Sequence, residues 1–371
     1  MRPVSRGPAR QCSLEQMAVF LQHNRSPRDM RQPDDCRKRS FRCNHRVSAL
    51  DDGRVLESDS SSTVEAANST TMLGADVDSM ETRWSKFANH VSGEWDGVSA
   101  TFDIDGTPRE LPEYYVPQAY RDWDVKLYDW QTQCSMSCDS STMSYSLRKL
   151  MPTVGCEADA IAFTEDASGG FELSSREFVF SDAGLSTASV GDGILDEKKF
   201  DLKSEHILTQ KKGYRTRVVH LFKRMGAERQ WRLQGVEVHI EKRDGPFSGK
   251  RELSGCGGGM NPFATSSALN IRELESKQWR ADGITVSKGE GVKAITQQPW
   301  SFPSSSIPVL GLPMNVWTSC SLQHAEDDSK LDLKIWTGVL DPTNGTMKIV
   351  CQESVGGSLV SANLMLASAC P

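Results

Sequence analysis

Arg215 and Arg217 stand two residues apart in a run, 214–222, whose alternation predicts a β-strand. Residues i and i+2 of a strand share a face, so both guanidinium groups point one way and His220 points the other. On an inward face their planar forks would suit a carboxylate. On an outward face they would be ordinary solvated charges. Glu113, Asp122, Asp124 and Asp129 sit among aromatic residues, where general acid–base work would need one of them buried and perturbed. Alternation across 123–130 instead places Asp122, Asp124 and Lys126 on the outward face of an expected strand. Cys134 and Cys138 have no second pair at zinc-ligand spacing and no local base to make a thiolate. The chain has no G-x-S-x-G elbow, and the glycine run at 255–259 lacks the Lys-Ser/Thr of a phosphate loop. These residue types favour binding over catalysis.

Aromatic residues supply the other half of a binding site. Trp123, Tyr128, Trp130, Phe178, Phe180 and Trp231 fall on expected strands. Inward-facing members either form plain core or line an apolar pocket.

The elements that must position these side chains come in two copies. Residues 200–219 match 331–350 without a gap: Leu202 with Leu333, Leu208 with Val339, and Arg217-Val218-Val219 with Lys348-Ile349-Val350. After a five-residue shortening, Leu233, Val236, Val238 and Ile240 correspond to Leu359, Ala362, Leu364 and Leu366. A one-residue slip turns a strand inside out, so a duplicated β unit is expected to keep its phase. Many short alternating segments, separated by turn signals such as Asp105-Gly106 and Lys211-Lys212-Gly213, predict an all-β chain. Closing each copy into a barrel removes unpaired edges.

Gly93-Glu94-Trp95 matches the G-x-W of lipocalins, in which the Trp ring plugs one end of the barrel under a basic residue. That likeness implies a cover for Trp95 from Arg217 or Arg215. The longer stretch from Gly93-Glu94-Trp95-Asp96-Gly97 through Val116-Pro117, Ala119-Tyr120-Arg121 and Trp123 to Tyr128-Asp129-Trp130-Gln131-Thr132-Gln133-Cys134 resembles an uncharacterised two-lobed lipocalin-like (calycin) family of cyanobacteria and plant chloroplasts. The resemblance implies tandem antiparallel calycin β-barrels and no established activity. The second copy departs from it, with Lys277-Gln278-Trp279 at the G-x-W position, Cys351 and Glu353 at the His220 and Phe222 sites, and Ala367 at the Glu241 site.

The expected organisation is a disordered leader over 1–80, a first barrel over 81–243, a Gly/Ser-rich linker over 244–268 and a smaller second barrel over 269–371. The leader is Arg-rich and continues into a Ser/Thr-rich run. Residues 1–50 hold eleven Lys and Arg against four Asp and Glu. That composition predicts a transit peptide, and the family likeness points to the chloroplast stroma. The whole chain carries a net charge of -6, so the body beyond residue 50 is acidic and unsuited to nucleic acid. No apolar run is long enough to span a bilayer, and ten dispersed cysteines in a chain of this size read as reduced thiols.

The function these features predict is non-enzymatic binding of a small hydrophobic ligand, lipid or tetrapyrrole-like, in the first barrel. Trp95, Trp123, Tyr128, Trp130, Phe178, Arg215, Arg217 and Trp231 are its expected contacts, with no metal and no obligatory cofactor. A chromophore-transfer factor like the bilin lyases and an assembly protein with solid barrels are the alternatives.

Overall fold

The computed structural model describes residues 79–154, 163–173, 175, 177–191, 202–225, 230–249, 263–288, 290–304, 306–324 and 331–370. Everything described belongs to one compact unit within 71–371. All of the expected leader but Ser79 and Met80, which begin the first helix, lies outside the described residues, as do Cys156, Ile161, Cys256 and most of the Gly/Ser-rich passage.

The first body opens with helix α1 (Met80–Val91), whose Trp84, Phe87 and Val91 form one buried apolar stripe. Ser79 caps it, its hydroxyl accepting from the Thr82 amide. Strand β1 (Gly93–Phe102) follows at once. A connection carrying the short helix α2 (Gln118–Asp122) leads to β2 (Trp130–Cys138), β3 (Thr142–Leu150), β4 (Phe163–Glu172), β5 (Phe178–Phe180), β6 (Leu185–Gly191), β7 (Leu202–Thr209), β8 (Tyr214–Met225) and β9 (Gln230–Gly245). All pair antiparallel in the order β4-β3-β2-β1-β9-β8-β7-β6-β5. Since β1 pairs with both its successor and the last strand, the sheet curls on itself and nearly closes. Phe171 on β4 and Phe178 on β5 stack at 5.4 Å across the remaining seam.

The second body repeats the plan with fewer strands. Helix α3 (Ile271–Glu275) precedes β10 (Trp279–Ser287), then β11 (Gly291–Trp300), β12 (Val309–Leu312), β13 (Val316–His324), β14 (Leu331–Asp341), β15 (Thr346–Val355) and β16 (Ser358–Ala369). Their order is β11-β10-β16-β15-β14-β13-β12. Trp279 repeats the capping role of Trp95: each indole N–H donates at 3.0 Å to a carbonyl of the preceding helix, Val91 in one copy and Leu274 in the other. The all-β tandem architecture expected from the repeat is what the chain forms.

Two expectations need correction. Residues 123–129 are not a strand. Trp123 terminates α2, Asp124 takes a left-handed turn (φ 53°), and the chain runs irregularly to Trp130. Alternation over so short a run gave way to the α2 turn, and Asp tolerates the left-handed region better than most residues. The ungapped repeat is also out of phase by one residue in its second half. His206 pairs with Val218, and Thr337, 131 positions after His206, pairs with Val350, which is 132 after Val218. Five residues (210–214) lie between the paired Thr209 and Arg215, whereas six (341–346) lie between Leu340 and Met347. Counterparts on β15 are therefore Met347 for Arg215, Ile349 for Arg217, Gln352 for His220 and Ser354 for Phe222. Ile349 and Val350 are adjacent and both buried, so the apolar pattern alone could not reveal the slip.

The two sheets pack back to back. Val98, Ala100, Phe102, Leu208, Val218, Val236 and Val238 of the first share one apolar core with Leu312, Val316, Val339, Val350 and Leu364 of the second. Phe263 and Ala264, just before α3, enter the same core. A polar seam crosses it. His206 Nδ1 meets Thr337 Oγ1 at 2.9 Å and His220 Nε2 meets Thr318 Oγ1 at 2.7 Å, while Thr187 and Ser204 donate to Gln352 Oε1. The contacts follow an approximate two-fold. His220 with Thr318 and Gln352 with Thr187 are the same pair of positions seen from opposite copies.

Candidate functional site

With the apolar faces of β8 and β9 turned to the other sheet, their polar faces line the inside of the first body. Arg215 and Arg217 on β8 and Glu237, His239 and Glu241 on β9 all project there and are almost fully buried. Arg215 Nε donates to Glu241 Oε2 at 2.6 Å, and Arg217 Nε reaches the same oxygen at 2.9 Å. Arg217 Nη1 donates to Glu205 Oε1 at 2.8 Å, and its Nη2 lies 3.4 Å from His239 Nδ1. Tyr145 Oη donates to Glu205 at 3.4 Å. Lys149 pairs with Glu237 at 2.7 Å, and Glu237 also lies 3.5 Å from His239. Three cations thus meet three carboxylates, a network without net charge.

Electrostatics follow from that pairing. Burial opposes ionisation of Glu241, but Arg215 and Arg217 outweigh it and hold its pKa at about 2. Burial likewise opposes ionisation of Glu237, and Lys149 overcomes it, so that carboxyl stays below its ordinary range. Burial, assisted by Arg217, lowers His239 to about 4, leaving the imidazole neutral at neutral pH. The Glu205 charge and burial push the Tyr145 phenol up, so it remains a donor. Glu241 Oε1 and Thr132 Oγ1 are buried acceptors with no hydrogen-bond partner. Both belong to strand positions on this inner face.

At the α1 end of the body, the Arg215 guanidinium carbon lies 4.0 Å from the centroid of the Trp95 ring and that of Arg243 lies 5.4 Å away. Arg243 also donates to the Ser92 and Asn89 carbonyls. Of the two arginines expected as cover for Trp95, Arg215 takes that place and Arg217 lies over Tyr145 instead, while Arg243 joins as an arginine that no expectation had included. Outside Arg243 lies an open cleft of about 820 Å³, flanked by Asn89, Cys138, Pro246 and Phe247. Trp84, Phe87, Phe171, Phe178 and Phe180 form the apolar part of the interior, with Phe87 and Phe180 5.2 Å apart. At the opposite end Trp130 packs edge-on against Tyr115, with the Lys149 ammonium 6.0 Å from its ring.

Of the eight expected contact residues, Trp95, Trp130, Phe178, Arg215 and Arg217 share this interior. The other three do not. Trp123 is 62% exposed on the outside. Tyr128 packs against the core between the sheets. Trp231 joins Phe222, Leu331, Leu333 and Ile335 at its margin, under Arg224. Glu205, Glu237, His239, Tyr145 and Lys149 were missed as site residues. The signal was present in Glu237-Val238-His239-Ile240-Glu241, a strict alternation whose polar face looked like solvent and is enclosed.

The same positions in the second body hold no charge. Arg215 opposite Glu241 becomes Met347 opposite Ala367, and Arg217 opposite His239 becomes Ile349 opposite Met365. That interior is apolar, built around Trp279, Trp317, Met347 and Ile349, with Trp300 and Phe302 packed at a tilt against Trp317.

No protein-family model matches the chain, and no curated protein is similar to it. Among solved structures, the dehydratase domain from the CurJ module of curacin polyketide synthase aligns with 76% of this chain and 77% of its own at 9% identity. The TM-score of 0.14 is too low to carry any argument about fold or activity.

Proposed function

We propose that this chain is a non-enzymatic binding protein whose first body receives a small ligand with an apolar, tetrapyrrole-like or lipid-like frame and hydrogen-bonding groups. One observation carries the reading. The two copies share a fold, yet only the first encloses Arg215, Arg217, Glu241 and His239 where its sister has Met347, Ile349, Ala367 and Met365. Buried ion pairs contribute little net stability because desolvation offsets their attraction. The sister copy fills the same positions with apolar side chains, so the fold itself does not require the charges. Glu241 Oε1 and Thr132 Oγ1 offer acceptors for ligand N–H or O–H donors, and Phe171, Phe178 and Phe180 offer an apolar bed. The Arg-rich, Ser-rich leader and the family likeness support a plastid location.

A transfer factor would place a carboxylate or a thiol at the chromophore, and the thiol form needs a thiolate. Burial pushes the Cys134 thiol up and holds Cys138 at about 11, which disfavours a transfer that runs through either thiol. A solid, structural first body is favoured by a different fact: each of the three Arg217 nitrogens already has a partner, in Glu241, Glu205 and His239. Titrating the purified full chain with biliverdin, and separately with oleate, while following Trp fluorescence and bilin absorbance distinguishes the two. Saturable binding of either probe, weakened about tenfold in Glu241→Gln, supports the binding reading. Failure of both probes to bind favours the solid body.

A further inference from the structure

The connection between β1 and β2 sets large aromatic side chains in water. Tyr114 is 75% exposed and Trp123 62%, and Val125 next to the same turn is exposed as well. Isolated exposed apolar residues are unremarkable, but a cluster of large ones marks contact surfaces. The Arg121 guanidinium donates to the Glu113 carbonyl at 3.5 Å and so ties the turn carrying Tyr114 to the helix that ends at Trp123. Tyr120 anchors its hydroxyl on the Thr153 carbonyl at 3.1 Å and meets the Trp123 ring edge-on at 6.2 Å. Asp124, in its left-handed turn, ends α2 and leaves the indole facing out. Tyr114 leans on Tyr115 at 4.2 Å, which in turn rests on Trp130.

Charge around these rings is net negative, and the three cations of the stretch are paired with Asp103, Glu113 and Glu110. Residues 103–129 contain seven carboxylates, Asp103, Asp105, Glu110, Glu113, Asp122, Asp124 and Asp129, against Arg109, Arg121 and Lys126. Asp122 and Asp124 flank Trp123 directly and are exposed with it. A second copy of this surface would be repelled by like charge, and so would an anionic membrane. Rigid aromatic faces beside carboxylates suit a cation: guanidinium and ammonium groups stack on indole and phenol rings while pairing with the neighbouring acids.

We propose that the segment carrying Tyr114, Trp123, Asp122 and Asp124 docks an arginine- and lysine-rich segment of a partner protein, with Trp123 as its central anchor. The site is separate from the interior of the first body and does not depend on ligand binding there. The test is fluorescence anisotropy of a labelled nona-arginine peptide titrated with the full chain and its Trp123→Ala, Tyr114→Ala and Asp122→Asn/Asp124→Asn variants. Because these side chains are exposed, circular dichroism should show every variant folded. Expected are saturable, salt-sensitive binding, an affinity loss of about tenfold or more in Trp123→Ala, and a comparable loss in the double Asn variant. Equal binding by wild type and all variants would mean only diffuse attraction to an acidic protein and would overturn the proposal. So would the absence of binding. Sedimentation with vesicles of phosphatidylcholine, alone and mixed with phosphatidylglycerol, covers the remaining occupant. Vesicle binding lost in Trp123→Ala while peptide binding is unchanged would assign the surface to a membrane and refute a peptide partner.

Discussion

Glu241 shows what a single side chain decides in this protein. One of its oxygens accepts from both Arg215 and Arg217, so removing it leaves two buried guanidinium groups short of a counter-charge. Glu241→Ala is expected to lower the free energy of unfolding by about 3–5 kcal/mol, read from urea melts. Transplanting the sister copy's residues tests why the charges are there. Arg215→Met, Arg217→Ile and Glu241→Ala, with Glu205→Gln to avoid an orphaned carboxylate, should recover most of that loss. If the network serves binding, this variant is stable and loses biliverdin or oleate. If it is as unstable as Glu241→Ala, the charges are needed by the fold. The arginine pair was legible in the sequence as two guanidinium groups on one face. Their partners were not, because Glu205 and Glu241 come from other strands and only the register brings them together.

At the scale of strands, β7 and β8 carry two imidazoles on the face turned to the second sheet. His206 and His220 lie 5.5 Å apart among Thr187, Ser204, Thr318, Thr337 and Gln352. Burial, together with its neighbour His220, lowers the His206 pKa well below the ordinary value, and burial alone brings His220 to about 4. A histidine whose folded pKa is depressed takes up protons more readily when unfolded, so its contribution is complete above pH 6.5. It is lost as pH falls toward 4. His239 adds to the same window. Urea melts should show each imidazole costing on the order of 1–2 kcal/mol at pH 5 relative to pH 7. Below about pH 4.5 the Glu241 contribution declines too, disappearing toward pH 2. Unchanged stability between pH 7 and 5 would show these rings to be hydrated in solution. On β14, Gly338 lies under the Trp317 indole, where a Cβ would collide with the ring. Gly338→Ala should therefore destabilise by about 1–3 kcal/mol in thermal melts.

For the molecule as a whole, the shared core between the sheets matters most. Val316, Val339, Val350 and Leu364 of the second body are covered by the first, so a fragment of residues 263–371 should expose them and aggregate. Calorimetry of the intact chain should accordingly show one unfolding transition; two well-separated ones would mean the bodies melt independently. Gln352→Ala, which leaves Thr187 and Ser204 without their shared acceptor, should lower that transition by the equivalent of about 1–3 kcal/mol.

Strand content, the duplication, the Trp at the start of each copy and the arginine pair follow from local pattern and spacing, and those the sequence alone determined. Alternation says that a strand has two kinds of face; it does not say where each face goes. Here the apolar faces of β8 and β9 meet another sheet and the polar faces are enclosed, so the usual assignment of polar to solvent is reversed. The extra residue between β14 and β15 escaped notice for a related reason: when both faces are buried, Ile349 and Val350 fit either way. Which charges are paired, which aromatics are interior and which, like Trp123, stand in water are decided by strand register and sheet-on-sheet contact. Those interactions join different strands, Arg217 to Glu205 across 12 positions and His206 to Thr337 across 131, and leave no trace in local spacing.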